Sequence, residues 1–174
     1  GAARSGDTSP APHPQCAAVR TCVRPSSVLA GVFGDNRRNG LTHTNAAASG
    51  NVIAVSGAGG VAGSAVGFAN PGNPSSTTSA LINASATGTV NGTTSVGGLV
   101  GFLGYNASVS QSYASGSVTG TDSVGALIGY DYISSVANSY ARGPVLGSIN
   151  VGGLAGVLAG ASANISNPHS VGAA

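Results

Sequence analysis

Short apolar runs recur along the chain, and each is broken by Gly, Asn or Ser. Thr94–Phe102 reads T-S-V-G-G-L-V-G-F, Ser115–Gly120 reads S-G-S-V-T-G, and Ser123–Tyr130 reads S-V-G-A-L-I-G-Y. Aliphatic and β-branched runs of this length, bounded by turn formers, predict strands. Helices are disfavoured, because Gly interrupts every window and costs about 1 kcal/mol per residue in a helix interior.

The runs repeat. V-G-G-L-V-G begins at Val96, V-G-A-L-I-G at Val124 and V-G-G-L-A-G at Val151. Weaker copies begin at Ala30 (A-G-V-F-G) and Gly59 (G-G-V-A-G). The series Ala30, Gly59, Gly97, Gly125, Gly152 advances by 29, 38, 28 and 27 residues. A second element lies between the copies: V-S-Q-S-Y-A-S-G-S-V ends at Val118 and V-A-N-S-Y-A-R-G-P-V at Val145. Looser versions end at Val52 and Val90. From each closing Val to the next Gly-rich element is seven residues: 52 to 59, 90 to 97, 118 to 125, 145 to 152.

A period of this size with no helix predicts stacked coils of two or three strands each. The expected fold is all-β: a parallel β-helix, or β-solenoid, of about five coils over residues 26–174, the last repeat truncated. Equivalent residues would stack about 4.8 Å apart. The Val column (Val52, Val90, Val118, Val145) is the first expected core column. The Leu column (Val32, Val61, Leu99, Leu127, Leu154) is the second. Alternation in V-G-A-L-I-G places Val124, Ala126 and Ile128 on one side and Leu127 on the other, with the inward side left open. The long step of 38 has a local cause. Asn70–Thr78 is turn chemistry throughout, so a loop near 69–80 is expected to be pushed out of one repeat. Residues 1–25, with Pro10, Pro12, Pro14 and Pro25, read as an irregular linker or cap.

Composition narrows the chemistry. Of 174 residues, 29 are Gly and 6% are charged, against about 25% in an ordinary domain. The basic residues are all Arg and the acidic ones all Asp. Without Lys there is no Walker phosphate loop, and without Glu no H-E-x-x-H zinc helix. A net charge of +2 from scattered Arg supplies no nucleic-acid face. No apolar run approaches the ~20 residues of a membrane span, so no membrane insertion is expected. Disorder is disfavoured by 41% hydrophobic residues with little charge.

The paired elements N/Q-S-Y-A-x-G-x-V and V-G-G-L-φ-G (φ, hydrophobic) resemble the GLUG motif, found in tandem in large bacterial surface and secreted proteins. These include filamentous-haemagglutinin-like adhesins and immunoglobulin A1 metallopeptidases. The resemblance is strongest at Val96–Gly101, Val124–Gly129 and Val151–Gly156, with Ser112–Gly116 and Ser139–Gly143. It implies a right-handed, extracellular β-helical stalk or passenger segment, with no catalytic residues, no metal and no cofactor. The implied function is structural, in an adhesin-like protein at the bacterial surface. The alternatives are a non-catalytic region of a larger secreted peptidase, or a glycan-binding surface module. The expected partner is a ligand on a host or neighbouring cell, with glycan as one class.

Chemical readings of single residues compete with this one. Gly57–Ala62 fits G-x-G-x-x-G/A after an apolar stretch, the start of a dinucleotide site. The acidic residue needed about 20 positions on is missing, and Pro71 and Pro74 would interrupt the helix. Cys16 and Cys22 form either a disulfide or two unpaired cysteines. His13, His43 and His169 share no ligand spacing; His43 falls in the column of Val109 and Val136, and His169 in that of Tyr113 and Tyr140. Asp122 and Asp131 read as turn residues flanking one G-G-L-x-G copy; a calcium site would want several oxygens from repeated Asp, and Asp recurs in neither column. Tyr113 and Tyr140 share one column, with Tyr105, Tyr130 and Tyr132 near the next turn, and are the candidate ligand-contact residues: stacked rings brace neighbouring coils and offer aromatic surface to a sugar.

Overall fold

The computed structural model describes residues 22–23, 29–36, 42–67, 78–161 and 163–171. The chain winds through five coils of five short strands each. Coil one holds β1 (Cys22–Val23), β2 (Leu29–Ala30), β3 (Phe33–Asn36), β4 (Thr42–Thr44) and β5 (Ala47–Ala48). Coil two holds β6 (Val52–Ile53), β7 (Ser56–Gly59), β8 (Ala62–Val66), β9 (Ala80–Ile82) and β10 (Ser85–Ala86). Coil three holds β11 (Val90–Asn91), β12 (Thr94–Gly97), β13 (Val100–Gly104), β14 (Ser108–Ser110) and β15 (Tyr113–Ala114). Coil four holds β16 (Val118–Thr119), β17 (Asp122–Gly125), β18 (Ile128–Tyr132), β19 (Ser135–Ala137) and β20 (Tyr140–Ala141). Coil five holds β21 (Val145–Leu146), β22 (Ile149–Gly152), β23 (Ala155–Ala159), β24 (Asn164–Ser166) and β25 (His169–Ser170).

Strands of the same rank pair in parallel from coil to coil. They make five five-stranded sheets, the faces of a parallel β-solenoid. Each coil thus has five strands rather than the two or three expected from the runs. The reason is local: two-residue corners at 98–99, 126–127 and 153–154 split each G-G-L-x-G run into two strands. Ser95, Ser123 and Asn150 have φ of 51°, 56° and 53°, and they bend β12, β17 and β22.

The register joins the repeat elements column by column. Val52, Val90, Val118 and Val145 stack in the first sheet, each at most 5% exposed. Val61, Leu99 and Leu127 are fully buried, with Val32 and Leu154 packed against the core at the ends. Burying each such side chain contributes about 1.5–3 kcal/mol. Simple alternation fails in V-G-A-L-I-G. Val124, Ala126, Leu127 and Ile128 are all buried, because the chain turns at 126–127 between β17 and β18. Coil five repeats these columns with one side uncovered, and Val151 is 37% exposed where Val96 and Val124 are 0%.

The S-Y-A element divides its work among three residues. Ser112 Oγ donates to Ser110 O (2.7 Å) and accepts from Ala84 N (2.9 Å) in the coil before. Ser139 repeats this with Ala137 O and Ser112 N. The Tyr lies outward and Ala114 and Ala141 lie inward, buried. The preceding N/Q is left-handed in every coil: Asn45, Asn83, Gln111, Asn138 and Asn167 have φ between 49° and 58°, a region where Asn is enriched. Asn83 Nδ2 donates to Asn45 Oδ1, and Asn167 Nδ2 to Asn138 Oδ1. Gln111 interrupts this ladder. Gln111→Asn is expected to stabilise the fold by about 0.5–1 kcal/mol, read as a raised melting temperature.

From coil two onward only one corner varies in length. The first corner is 54–55, 92–93, 120–121 and 147–148; the second is 60–61, 98–99, 126–127 and 153–154. The fourth is 83–84, 111–112, 138–139 and 167–168; the one closing each coil is 49–51, 87–89, 115–117 and 142–144. The third, between the third and fourth sheets, is 67–79, 105–107, 133–134 and 160–163. It absorbs the whole difference between the steps of 38, 28 and 27. The loop expected near 69–80 falls in it, although 68–77 lie outside the described residues. Of the N-terminal segment 1–25, only Cys22–Val23 is described, paired with Val52–Ile53. Cys16 and His13 lie outside the described residues.

Candidate functional site

The outward aromatic residues form two groups. Tyr113 in β15 and Tyr140 in β20 are register partners in the fifth sheet, in the column Ala47, Ser85, Tyr113, Tyr140, His169. Their rings stack at 5.1 Å with 5° between planes, and the Arg142 guanidinium sits over the Tyr140 ring at 5.1 Å. Each Tyr covers a face of the other, which braces coil three against coil four.

The second group lies along the third sheet and its variable corner. Phe102 and Tyr130 stack at 5.6 Å, and Tyr105 meets Tyr132 edge-on at 5.2 Å. Tyr105 is 48% exposed. Beside this pair, Asn106, Ala107, Ile133, Ser134 and Ser135 line a recess of about 170 Å³. The backbone here is strained: Tyr105, Asn106 and Ile133 have φ of 53°, 65° and 54°, rare for bulky or β-branched residues.

Asp131 departs from its expected turn position. It lies in β18, fully buried, in register with Leu103 and Leu158. Ser134 Oγ donates to its Oδ1, while Oδ2 is buried without a hydrogen-bond partner. Burial pushes the carboxyl above the usual Asp range, and the hydrogen bonds from Ser134 oppose this only in part. The sequence held the signal: 131 lies 28 residues after 103 and 27 before 158, so repeat alignment alone places Asp131 in a leucine column. Asp122 opens β17, and its Oδ1 accepts from Asn150 Nδ2 (2.9 Å) and Ser123 Oγ (3.1 Å). His43 takes its expected column through Leu81 to Val109 and Val136, and burial lowers its pKa.

Gly57–Ala62 belongs to β7, a bend and the start of β8. A strand runs where a dinucleotide pyrophosphate would need a helix N-terminus. Among the described residues no three His, Cys, Asp or Glu gather in a metal-binding group, and no helix is long and apolar enough to cross a membrane.

Comparison with known proteins places the repeat. A family model described as the GLUG motif matches residues 92–119. The match runs from the first corner of coil three to the first strand of coil four. No curated protein and no solved structure matches the chain. The matched segment is thus a GLUG motif, and the same elements are stacked in register in the coils above and below it.

Proposed function

We propose that this repeat region is a non-catalytic structural segment of a bacterial extracellular adhesin-like protein. It serves as a stalk or passenger that extends or displays other regions toward a ligand on a host or neighbouring cell. The observation that carries this reading is the unbroken parallel register of all five sheets. Such an array lengthens by about 4.8 Å per coil and places no demand on side chains beyond stacking. The interior is mainly Val, Leu, Ile and Ala, small apolar side chains that fill a narrow coil.

The test is accessibility on intact cells carrying the native gene. Antibody against the coils is expected to label unpermeabilised cells. Labelling that requires permeabilisation would overturn the reading.

A further inference from the structure

Five features converge on the third corner of coils three and four. It is the corner where coil length varies, and in repeat arrays such insertions often mark the binding face. It carries the exposed Tyr105 against Tyr132. It holds the recess of Asn106, Ala107, Ile133, Ser134 and Ser135. It holds two bulky left-handed residues, Tyr105 and Ile133, each costing about 1–3 kcal/mol, and strain of this kind clusters at ligand clamps. Behind Ser134 lies the buried Asp131 carboxyl.

We infer that this corner is a saccharide-binding edge, with Tyr105 as the aromatic platform and Asn106 and Ser135 as the polar contacts. The chemistry fits a sugar ring. A pyranose has an apolar C–H face, which suits an exposed aromatic side chain, and a rim of hydroxyls. The Asn106 amide can both donate and accept at that rim, and so can the Ser135 hydroxyl. No ionised side chain lines the recess, so the ligand is a neutral sugar. The recess is below the size of drug-sized pockets and suits one ring rather than an extended peptide. The site differs from Tyr113 and Tyr140, whose rings are closed against each other. It goes beyond the stalk reading and does not rest on it: sugar binding can fail while cell-surface labelling succeeds, and the reverse.

The test is an amide NMR titration of the protein with free hexoses and N-acetylhexosamines at millimolar concentration. Saturable shifts are expected at Tyr105–Ala107 and Ile133–Ser135 with at least one sugar. Tyr105→Ala is expected to weaken that binding about tenfold or more, and Tyr113→Ala to leave it unchanged. Asn106→Gly provides a second variant, because Gly keeps the left-handed backbone while removing the amide; it should weaken binding as well. The inference is overturned if no sugar gives saturable shifts at these amides. It is equally overturned if both corner variants bind like the parent, or if Tyr113→Ala loses binding to the same extent.

Discussion

Gly97→Ala is expected to destabilise the protein by about 3 kcal/mol or more, a large part of a domain's stability. The first and last glycines of G-G-L-x-G lie where the second and third sheets meet backbone to backbone. A Cβ on Gly97 would stand 1.9 Å from Val100 O and 2.6 Å from Gly129 N. Gly129 in turn would meet Val96 N at 2.4 Å, and Gly101 would meet Gly57 C at 2.5 Å. The glycines of one coil therefore interlock with the backbone of the next, and no side chain is present to swing away. Gly98→Ala provides the contrast. A Cβ there would stand 2.1 Å from Ala126 O, yet coil four carries Ala at this very position. Ala126 is only 1% exposed, so this corner accepts a Cβ within the same fold. Gly98→Ala should cost about 1 kcal/mol. Denaturant melts of the two variants give the comparison, and equal losses would refute the interlock.

Replacing Asp131 by Leu, together with Ser134→Ala, is expected to stabilise the fold by about 3 kcal/mol. The double change rewrites coil four as coil three, where Leu103 and Ala107 hold these positions. It removes a buried carboxylate with one unpartnered oxygen and supplies an apolar side chain between Leu103 and Leu158. Buried ionic groups replaced by packed apolar ones commonly give 1–4 kcal/mol. The pH dependence follows from the direction of the shift. The folded state holds the Asp131 proton more tightly than the unfolded chain does. The cost of this group is therefore full above its raised folded pKa, and it is relieved as pH falls toward the ordinary Asp value. Half-buried His43 acts oppositely. Its folded pKa is lowered, so its contribution to stability is lost as pH falls below the ordinary His value. The difference between parent and double variant isolates Asp131. The gain in melting temperature should be large at pH 7 and shrink by about pH 4. A gain unchanged across that range would mean that packing alone was improved.

The coils were legible because their two sequence elements carry the columns: Val118 and Val145 close one, Leu99 and Leu127 centre the other. Five strands per coil were not legible, because the breaks at 98–99 and 126–127 fall inside the apolar G-G-L-x-G run, where no composition rule marks a corner. Reading V-G-A-L-I-G as a straight strand set Leu127 opposite Val124, Ala126 and Ile128 for the same reason, and all four are buried. Tyr113 and Tyr140 were found from a motif, since they occur in equivalent copies. Tyr105 and Tyr132 were legible as aromatics near a turn, but not as a site, because the corner does not repeat: Asn106 pairs with Ile133 in the next coil. Asp131 reads as a turn residue beside Gly129, and only its alignment with Leu103 exposes the carboxyl in the core.

The central claim is parallel, in-register stacking at steps of 28 and 27 residues. Backbone nuclear Overhauser contacts in the assigned protein test it most directly. Cross-strand contacts are expected between Val90 and Val118 and between Val118 and Val145, repeated at Val109 and Val136 and at Tyr113 and Tyr140. Close Hα–Hα contacts between strands adjacent in sequence, the signature of antiparallel hairpins, would contradict it.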